Sequence, residues 1–134
     1  MSTTPAQPWL HIRLTELPNV TVLTVLDSQL NDDLQVMALR DELLAALGQS
    51  AHKGLVIDMK NVAYMTSIAL MALVALRKAA ESSGHRVALC NLADIVAKVL
   101  TISQLIVESR PHVRHLAMAQ DLESAIKLVA AENA

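Results

Sequence analysis

Apolar and polar positions alternate along this chain in blocks that predict strands and helices in turn. Residues 20–26 are rich in valine and threonine, which predicts a strand, and residues 9–16 precede them across the turn signal Leu17-Pro18-Asn19. These two segments predict a β-hairpin. Three later apolar runs also predict strands: residues 54–59, which suit a strand buried on both faces, residues 86–90 and residues 113–118.

Four segments between and after these strands predict helices. The first begins at Asn31 or Asp32, has Gln35 in a capping-box position and ends at Gly48. The remaining three cover residues 67–82, followed by Gly84, and residues 93–101 and 121–131. The expected apolar side of the first helix consists of Leu34, Met37, Leu43, Leu44 and Leu47.

This order predicts an α/β fold with a mixed β-sheet of about four to five strands and about four packed helices. The sheet is expected to be antiparallel at its start and parallel or mixed later, with right-handed crossovers. By its length the chain is expected to form a single domain over residues 9–131. Residues 1–8 are polar and contain two prolines, which predicts a flexible N-terminal arm.

Composition and charge exclude several functions. Phe is absent, and Trp9 and Tyr64 are the only aromatic residues. The formal net charge is −2 and no basic stripe is present, so nucleic-acid binding is not expected. No apolar run approaches the about 20 residues that span a bilayer, and no secretion signal is recognisable. With Cys90 as the only cysteine, these features predict a cytoplasmic protein.

Residues 55–70 contain the strongest candidate site. An apolar strand and a tight loop are followed by the hydroxyl pair Thr66-Ser67, which opens a helix. A helix opening leaves backbone N–H groups unpaired and carries a partial positive charge, so an anion is stabilised there. Ser67 is the expected N-cap. It is therefore either a structural cap or a position where a phosphate is held.

The element order and residues 54–105 resemble the STAS domain, the family of bacterial anti-sigma-factor antagonists. In that family a strand ending in aspartate is followed by a short loop and a serine motif that opens a helix. A glycine, a strand, an asparagine and a short helix come later. The matching positions here are residues 55–58, 62, 64–67 and 69–70, then Gly84, residues 87–91 and residues 96–100.

Three positions depart from the usual motif of that family. Thr66 stands where an aspartate usually precedes the serine, Ile68 where many members carry a second serine, and Ala69 where glycine usually follows. In the sporulation-type antagonists the second serine is the phosphorylated one, and Ile68 cannot accept phosphate. In the stressosome-type members the hydroxyl residue directly after the aspartate is phosphorylated and a bulky apolar residue follows. The pair Ser67-Ile68 is similar to this second arrangement.

The resemblance implies a phosphorylation-switched interaction module that binds a serine-kinase anti-sigma factor and so releases a sigma factor. Ser67 is the expected phospho-acceptor, Thr66 is the backup, and a cognate phosphatase would reset the switch. Asp58 is expected either to orient the Ser67 loop or only to accept hydrogen bonds from loop N–H groups. The loop at residues 27–31 is expected to join the partner-binding residues, which are Asn61, Tyr64, Met65, Thr66, Ser67, Ile68 and Met71.

Two alternative functions remain open. One is a non-phosphorylated, stressosome-like scaffold subunit that forms a homo-oligomer. The other is an accessory subunit of a membrane transport system, because the same domain type resembles transporter-associated modules. The apolar residues near the site also have two interpretations, an adaptable docking surface or, at their helical spacing, the core. These residues are Met37, Met65, Ile68 and Met71.

No pattern in the sequence indicates catalysis or a metal site. The glycine motifs of phosphate-binding loops are absent, and the carboxylate pairs at residues 32–33 and 41–42 are expected at the start and on the solvated face of the first helix. His112 and His115 lack the further ligands of a zinc site. Cys90, at a strand end, is expected to be a buried structural cysteine. The sequence therefore predicts a non-enzyme without a cofactor.

Overall fold

The computed structural model describes residues 9–102 and 116–130. Within these ranges seven strands and four helices follow one another, with a 3-10 turn at Ser67–Ala69 before α2. They are β1 (Ile12–Glu16), β2 (Thr21–Val25), β3 (Gln29–Leu30), α1 (Asp33–Gln49), β4 (Gly54–Asp58), β5 (Tyr64–Met65), α2 (Leu70–Ser83), β6 (Arg86–Cys90), α3 (Asp94–Ile102), β7 (Leu116–Ala119) and α4 (Leu122–Ala130).

The main sheet has the strand order β1-β2-β4-β6-β7. β1 and β2 form the antiparallel hairpin that the sequence predicts, and β2, β4, β6 and β7 run parallel to one another. The predicted α/β fold with a mixed sheet and packed helices is confirmed. The predicted N-terminal arm at residues 1–8, the first part of the predicted last strand at 113–115, and residue 131 lie outside the described residues.

β4 lies at the centre of the molecule and is buried on both faces, as its uninterrupted apolar run predicts. Leu55 and Ile57 face the larger core, to which α1, α2 and α3 contribute. Val56 faces the opposite side, where it packs in a smaller core with Ala125 and Val129 of α4. The alternation of side chains along one strand therefore supplies both cores.

The buried side of α1 differs from the predicted one. Leu34 is 76% exposed and Met37 is 41% exposed, whereas Val36 and Ala46 are fully buried. The prediction counted only the large apolar residues and passed over the smaller ones that complete a 3.6-residue repeat facing the sheet. The buried set is Val36, Leu39, Leu43, Ala46 and Leu47.

The start of β4 and the end of α4 approach each other closely because Gly54 has no side chain. A Cβ atom placed on Gly54 would lie 3.1 Å from Val129 Cγ2 and 3.3 Å from Val129 Cβ. Gly48, near the end of α1, has no atom within 4 Å of the equivalent position. The first glycine is therefore required by packing, and the second is not.

We expect Gly54→Ala to lower the free energy of unfolding by about 1–2 kcal/mol, because the added methyl group must displace α4. Gly48→Ala, the matched control, is expected to raise it by up to about 1 kcal/mol through reduced backbone entropy. Urea denaturation of both variants measures the difference. In the Val129→Ala background the effect of Gly54→Ala should shrink; an unchanged effect would show that contact with Val129 is not the cause.

Candidate functional site

The parallel pairing of β2 and β4 brings two loops to one edge of the sheet. Thr24 is paired with Asp58 near the carboxyl ends of the two strands. The loop that leads from β2 into α1 therefore lies beside the loop that leads from β4 into α2. The two helices pack against each other on the same face of the sheet, and α1 also contacts the 3-10 turn. We call residues 27–37 and 61–71 together the carboxyl-edge surface.

A second, two-stranded parallel ribbon joins the two loops of this surface. β3 pairs with β5, with Gln29 opposite Tyr64 and Leu30 opposite Met65. Beyond the ribbon, Ala63 N donates to Ser28 O over 2.8 Å and Thr66 N donates to Leu30 O over 3.1 Å. The sequence analysis did not predict this ribbon. It makes the two loops one hydrogen-bonded unit.

The side chain of Gln35 holds the first loop in place. With Asp32 it forms the predicted capping box: Gln35 N donates to Asp32 Oδ2 over 3.0 Å, and Gln35 Oε1 accepts from Asp32 N. Its Nε2 also donates to Asp27 Oδ2 over 2.9 Å and to Gln29 O over 2.6 Å. One side chain therefore fixes both the start of α1 and the loop before it.

Two carboxylates tie the beginning of the hairpin to the same region. Asp27 accepts a hydrogen bond from the His11 ring at Nδ1 over 2.9 Å. Glu42 of α1 accepts from the backbone N–H groups of Leu10 and His11 over 3.0 and 2.8 Å. Because Asp27 bonds both His11 and Gln35, the carboxyl-edge surface is braced from β1 as well as from α1.

Ser67 does not occupy the N-cap position that the sequence predicts. Thr66 is the residue with extended backbone before the 3-10 turn, and its side chain makes no capping hydrogen bond. Ser67 is the first residue of that turn, and α2 begins three residues later, at Leu70. Ala69 N donates to Thr66 O over 3.1 Å, which closes this earlier turn, and Thr66 N donates to Leu30 O. The Ser67 side chain is exposed, and its hydroxyl makes no hydrogen bond with the described parts of the chain.

The expected partner-binding residues divide into exposed and buried ones. Tyr64 and Met71 are 43% and 42% exposed, Asn61 is also exposed, and Thr66 and Ile68 are half-buried. Met65 is 1% exposed and belongs to the larger core. Its side chain can position the loop but cannot touch a partner in this conformation. Alternation along β5 explains the split, since Tyr64 and Met65 point to opposite sides.

Leu34 and Met37 are exposed members of this surface. The sequence analysis placed both on the apolar side of the first helix and left Met37 open between a docking surface and the core. They lie in the first turns of α1, at the same edge of the sheet as Tyr64 and Met71. No sequence signal separates an apolar residue in the first turn of a helix from one buried farther along it. The hydroxyl of Ser67 is therefore accompanied by more exposed apolar surface than the motif alone indicates.

Asp58 acts on the other side of the sheet. It is 3% exposed, and its Oδ1 accepts hydrogen bonds from Lys60 N and from Asn91 Nδ2, each over 3.0 Å. Asn91 has a left-handed backbone with φ of 59°, which asparagine tolerates better than most residues. Among the described residues Asp58 makes no hydrogen bond with residues 61–67. Its contacts are those of a carboxylate that fixes the turn after β4 and the end of β6.

Cys90 is fully buried beside Asp58 in the smaller core. Burial, followed by the negative charges of Asp58 and Asp121, raises the pKa of the Cys90 thiol to about 12. The thiol is therefore protonated at neutral pH, which fits the predicted structural role. Within residues 9–102 and 116–130 no cluster of three potential metal ligands occurs, and His112 and His115 lie outside these ranges. None of the described helices has the length and apolar character needed to cross a membrane.

We expect replacement of Gln35 to loosen the carboxyl-edge surface. Gln35→Ala removes the reciprocal half of the capping box and the bonds to Asp27 and Gln29, and should lower the free energy of unfolding by about 1 kcal/mol. Hydrogen exchange should accelerate at the amides of Ala63 and Thr66. Gln49→Ala, at the exposed end of α1, is the control and should change neither quantity. Unaltered exchange at Ala63 and Thr66 would contradict the bracing role of Gln35.

Cys90 should react with thiol reagents only when the protein unfolds. A rise of its pKa from about 9 to about 12 lowers the thiolate fraction at pH 8 about 1,000-fold. Labelling with a maleimide, followed by mass spectrometry, should be slow in native buffer and complete in denaturant. Because the pKa is raised in the folded state, the contribution of Cys90 to stability is lost as pH rises above about 9. Equal labelling rates in both buffers would disprove this assignment.

Comparisons with known proteins agree with this geometry. The family model described as STAS domain matches residues 11–125. A serine-to-glutamate variant of RsbS from Moorella thermoacetica has a similar structure, with a TM-score of 0.71 and 22% identity over 92% of this chain and 98% of that one. The structure of the anti-sigma-factor antagonist SpoIIAA in its unphosphorylated form is also similar, with a TM-score of 0.65 and 21% sequence identity over 90% of this chain and 96% of that one.

Two further structures with the same fold come from larger systems, one from a multi-protein assembly and the other from a much longer chain. A chain from the stressosome, described as a signal integration and transduction hub, has a TM-score of 0.63 and 22% identity over 90% of this chain and 98% of that one. A murine solute carrier 26 family anion transporter has a TM-score of 0.68 and 19% sequence identity, and the match covers 87% of this chain and 18% of the transporter. No curated protein sequence matches this chain. The match over residues 11–125 places the chain in the STAS domain family.

Proposed function

We propose that this chain is a protein-interaction module of the anti-sigma-factor antagonist type, switched by phosphorylation of Ser67. Its partner is a serine-kinase anti-sigma factor, and its binding releases a sigma factor. The observation that carries the proposal is the exposed hydroxyl of Ser67 in the carboxyl-edge surface, with Tyr64 and Met71 exposed in the same loop and helix start. The absence of a catalytic motif supports a regulatory rather than an enzymatic role, and the expected location is the cytoplasm.

The carboxyl-edge surface has the composition of a protein-binding site. Leu34, Met37, Tyr64 and Met71 are each more than 40% exposed and lie at one edge of the sheet. Tyrosine is enriched among residues that dominate binding energy, and methionine adapts its shape to a partner. The ribbon and Gln35 hold the surface in shape before a partner arrives, which reduces the entropy lost on binding.

Phosphorylation of Ser67 would oppose docking by adding charge at this surface. A phosphate brings a charge of about −1.5 to −2, which must be desolvated if the surface is buried against a partner. Asp32 and Asp33 lie exposed at the start of α1, on the same edge, so the negative charge of the surface would increase further. Removal of the phosphate by a phosphatase would restore the neutral hydroxyl and with it the binding surface.

A stressosome-like scaffold is the second candidate function. The pair Ser67-Ile68 resembles the stressosome-type arrangement, and structures of RsbS and of the stressosome share the fold. In that case the chain forms a homo-oligomer, and its assembly is independent of phosphate on Ser67. An accessory role in membrane transport has support only from the similarity of fold to the solute carrier domain.

The phosphorylation switch is tested on protein purified from its own cells during growth and during stress. Intact mass and peptide mapping should find a single added phosphate, located on Ser67 and absent from Ser67→Ala. Ser82→Ala, which changes an exposed serine near the end of α2, should leave the phosphate in place. Phosphate that persists in Ser67→Ala and maps to Thr66 would assign the switch to the backup residue instead.

Partner binding is tested with the same chain carrying an affinity tag. The unmodified chain and Ser82→Ala should co-purify with a serine kinase, whereas Ser67→Glu should lose at least about 90% of it, because the added charge must be buried. Sedimentation of each variant measures self-association. A homo-oligomer of equal strength in the wild type and in Ser67→Glu, without a bound kinase or any phosphate on Ser67, would overturn the switch in favour of the scaffold.

A further inference from the structure

A pocket opens on the face of the sheet opposite α1 and α2. On this face α4 covers β4, β6 and β7, and the hairpin of β1 and β2 is left beside it. The pocket between them has a volume of about 470 Å³, within the range of small-molecule sites. It is lined by Arg13, Thr15, Leu17, Val22, Thr24, Leu26, Asp58, Lys60, Asn61 and Leu122.

The polar part of this pocket contains two exposed cationic side chains, Arg13 and Lys60. Neither Arg13 nor Lys60 forms an ion pair within residues 9–102 and 116–130, although both line the same space. Asp58 is the single acidic lining residue, and both of its hydrogen bonds are made by Oδ1. The lining therefore has a net charge of +1. The hydroxyl groups of Thr15 and Thr24 add further hydrogen-bonding capacity.

Apart from Asn61, the rest of the lining is apolar. Leu17 and Val22 come from the hairpin, Leu26 follows β2, and Leu122 begins α4. Leu26 is 38% exposed, so part of this apolar surface is in contact with solvent. A phosphate or sulfate ion would leave these apolar side chains uncovered, whereas a neutral apolar molecule would make no contact with the charges of Arg13 and Lys60. The lining as a whole is complementary to an anion with an apolar body.

We propose that this pocket binds a small organic monoanion with an apolar body, of the class that medium-chain carboxylates represent. The carboxylate lies between Arg13 and Lys60, and the hydrocarbon part covers Leu17, Leu26 and Leu122. The proposal is independent of the function proposed above, because Ser67 is not part of the pocket. Asn61 lines the pocket and also belongs to the carboxyl-edge surface, where its Nδ2 donates to Val25 O over 3.1 Å.

The test is an NMR titration of the ¹⁵N-labelled full chain with octanoate. Saturable shifts are expected at the amides of Arg13, Thr24 and Lys60. Octylammonium, which has the same hydrocarbon chain and the opposite charge, should not compete. Inorganic phosphate should bind more weakly than octanoate. Equal shifts with octylammonium, saturation by phosphate at the same concentration, or no saturable shift with octanoate would each overturn the proposal.

Variants separate the charged and apolar contributions. The double variant Arg13→Gln/Lys60→Gln should weaken octanoate binding about tenfold or more, because both charge-assisted contacts are lost. Leu26→Gln should lower the affinity for octanoate but leave the affinity for phosphate unchanged. The control Lys98→Gln removes an exposed cation of α3 and should change neither affinity. All these positions are exposed, so a native spectrum should verify folding; octanoate affinities equal to the control's would refute the assigned contacts.

Discussion

The parallel pairing of β2 with β4 is the interaction on which the rest of this structure depends. β4 has no solvent-facing side, so its hydrogen bonds and side chains hold both layers of helices together. The same pairing places the carboxyl ends of both strands side by side, and every polar feature discussed here follows from that placement. The loops of the carboxyl-edge surface leave from one side of this edge. Asp58 and the other pocket residues occupy the opposite side, and Asn61 belongs to both.

Side-chain alternation then decides which residues are available for binding. Tyr64 faces outward and Met65 inward from the same two-residue strand. Asp58 is directed to the face that carries Val56 and Cys90, where it accepts hydrogen bonds from Lys60 N in the turn after β4 and from Asn91 Nδ2 at the end of β6. The exposure of Tyr64 is thus a consequence of packing, because its buried neighbour Met65 fixes its position.

Much of the fold could be predicted from the sequence, because long apolar runs and capping residues are strong local signals. The hairpin, the buried β4 and the capping box of Asp32 with Gln35 were of this kind. The ribbon of β3 and β5 was not, since two-residue strands have no measurable periodicity and form only through contact between distant loops. The sequence also predicts that the second helix begins at Ser67, whereas a separate 3-10 turn occupies residues 67–69 and the helix begins at Leu70. The pocket could not be predicted, since its lining residues come from separate strands and loops that are brought together only by the sheet.

The ribbon also divides the residues at this edge into buried ones, which the fold requires, and exposed ones, which remain available for contact. Leu30 and Met65 are committed to the core, while Leu34, Tyr64 and Met71 contribute exposed surface at the same edge. Duplicated copies of such a gene could exchange these outward residues freely and acquire different partners without loss of the common fold. Signalling pathways that use several such chains in one cell could in this way be insulated from one another by a few surface positions.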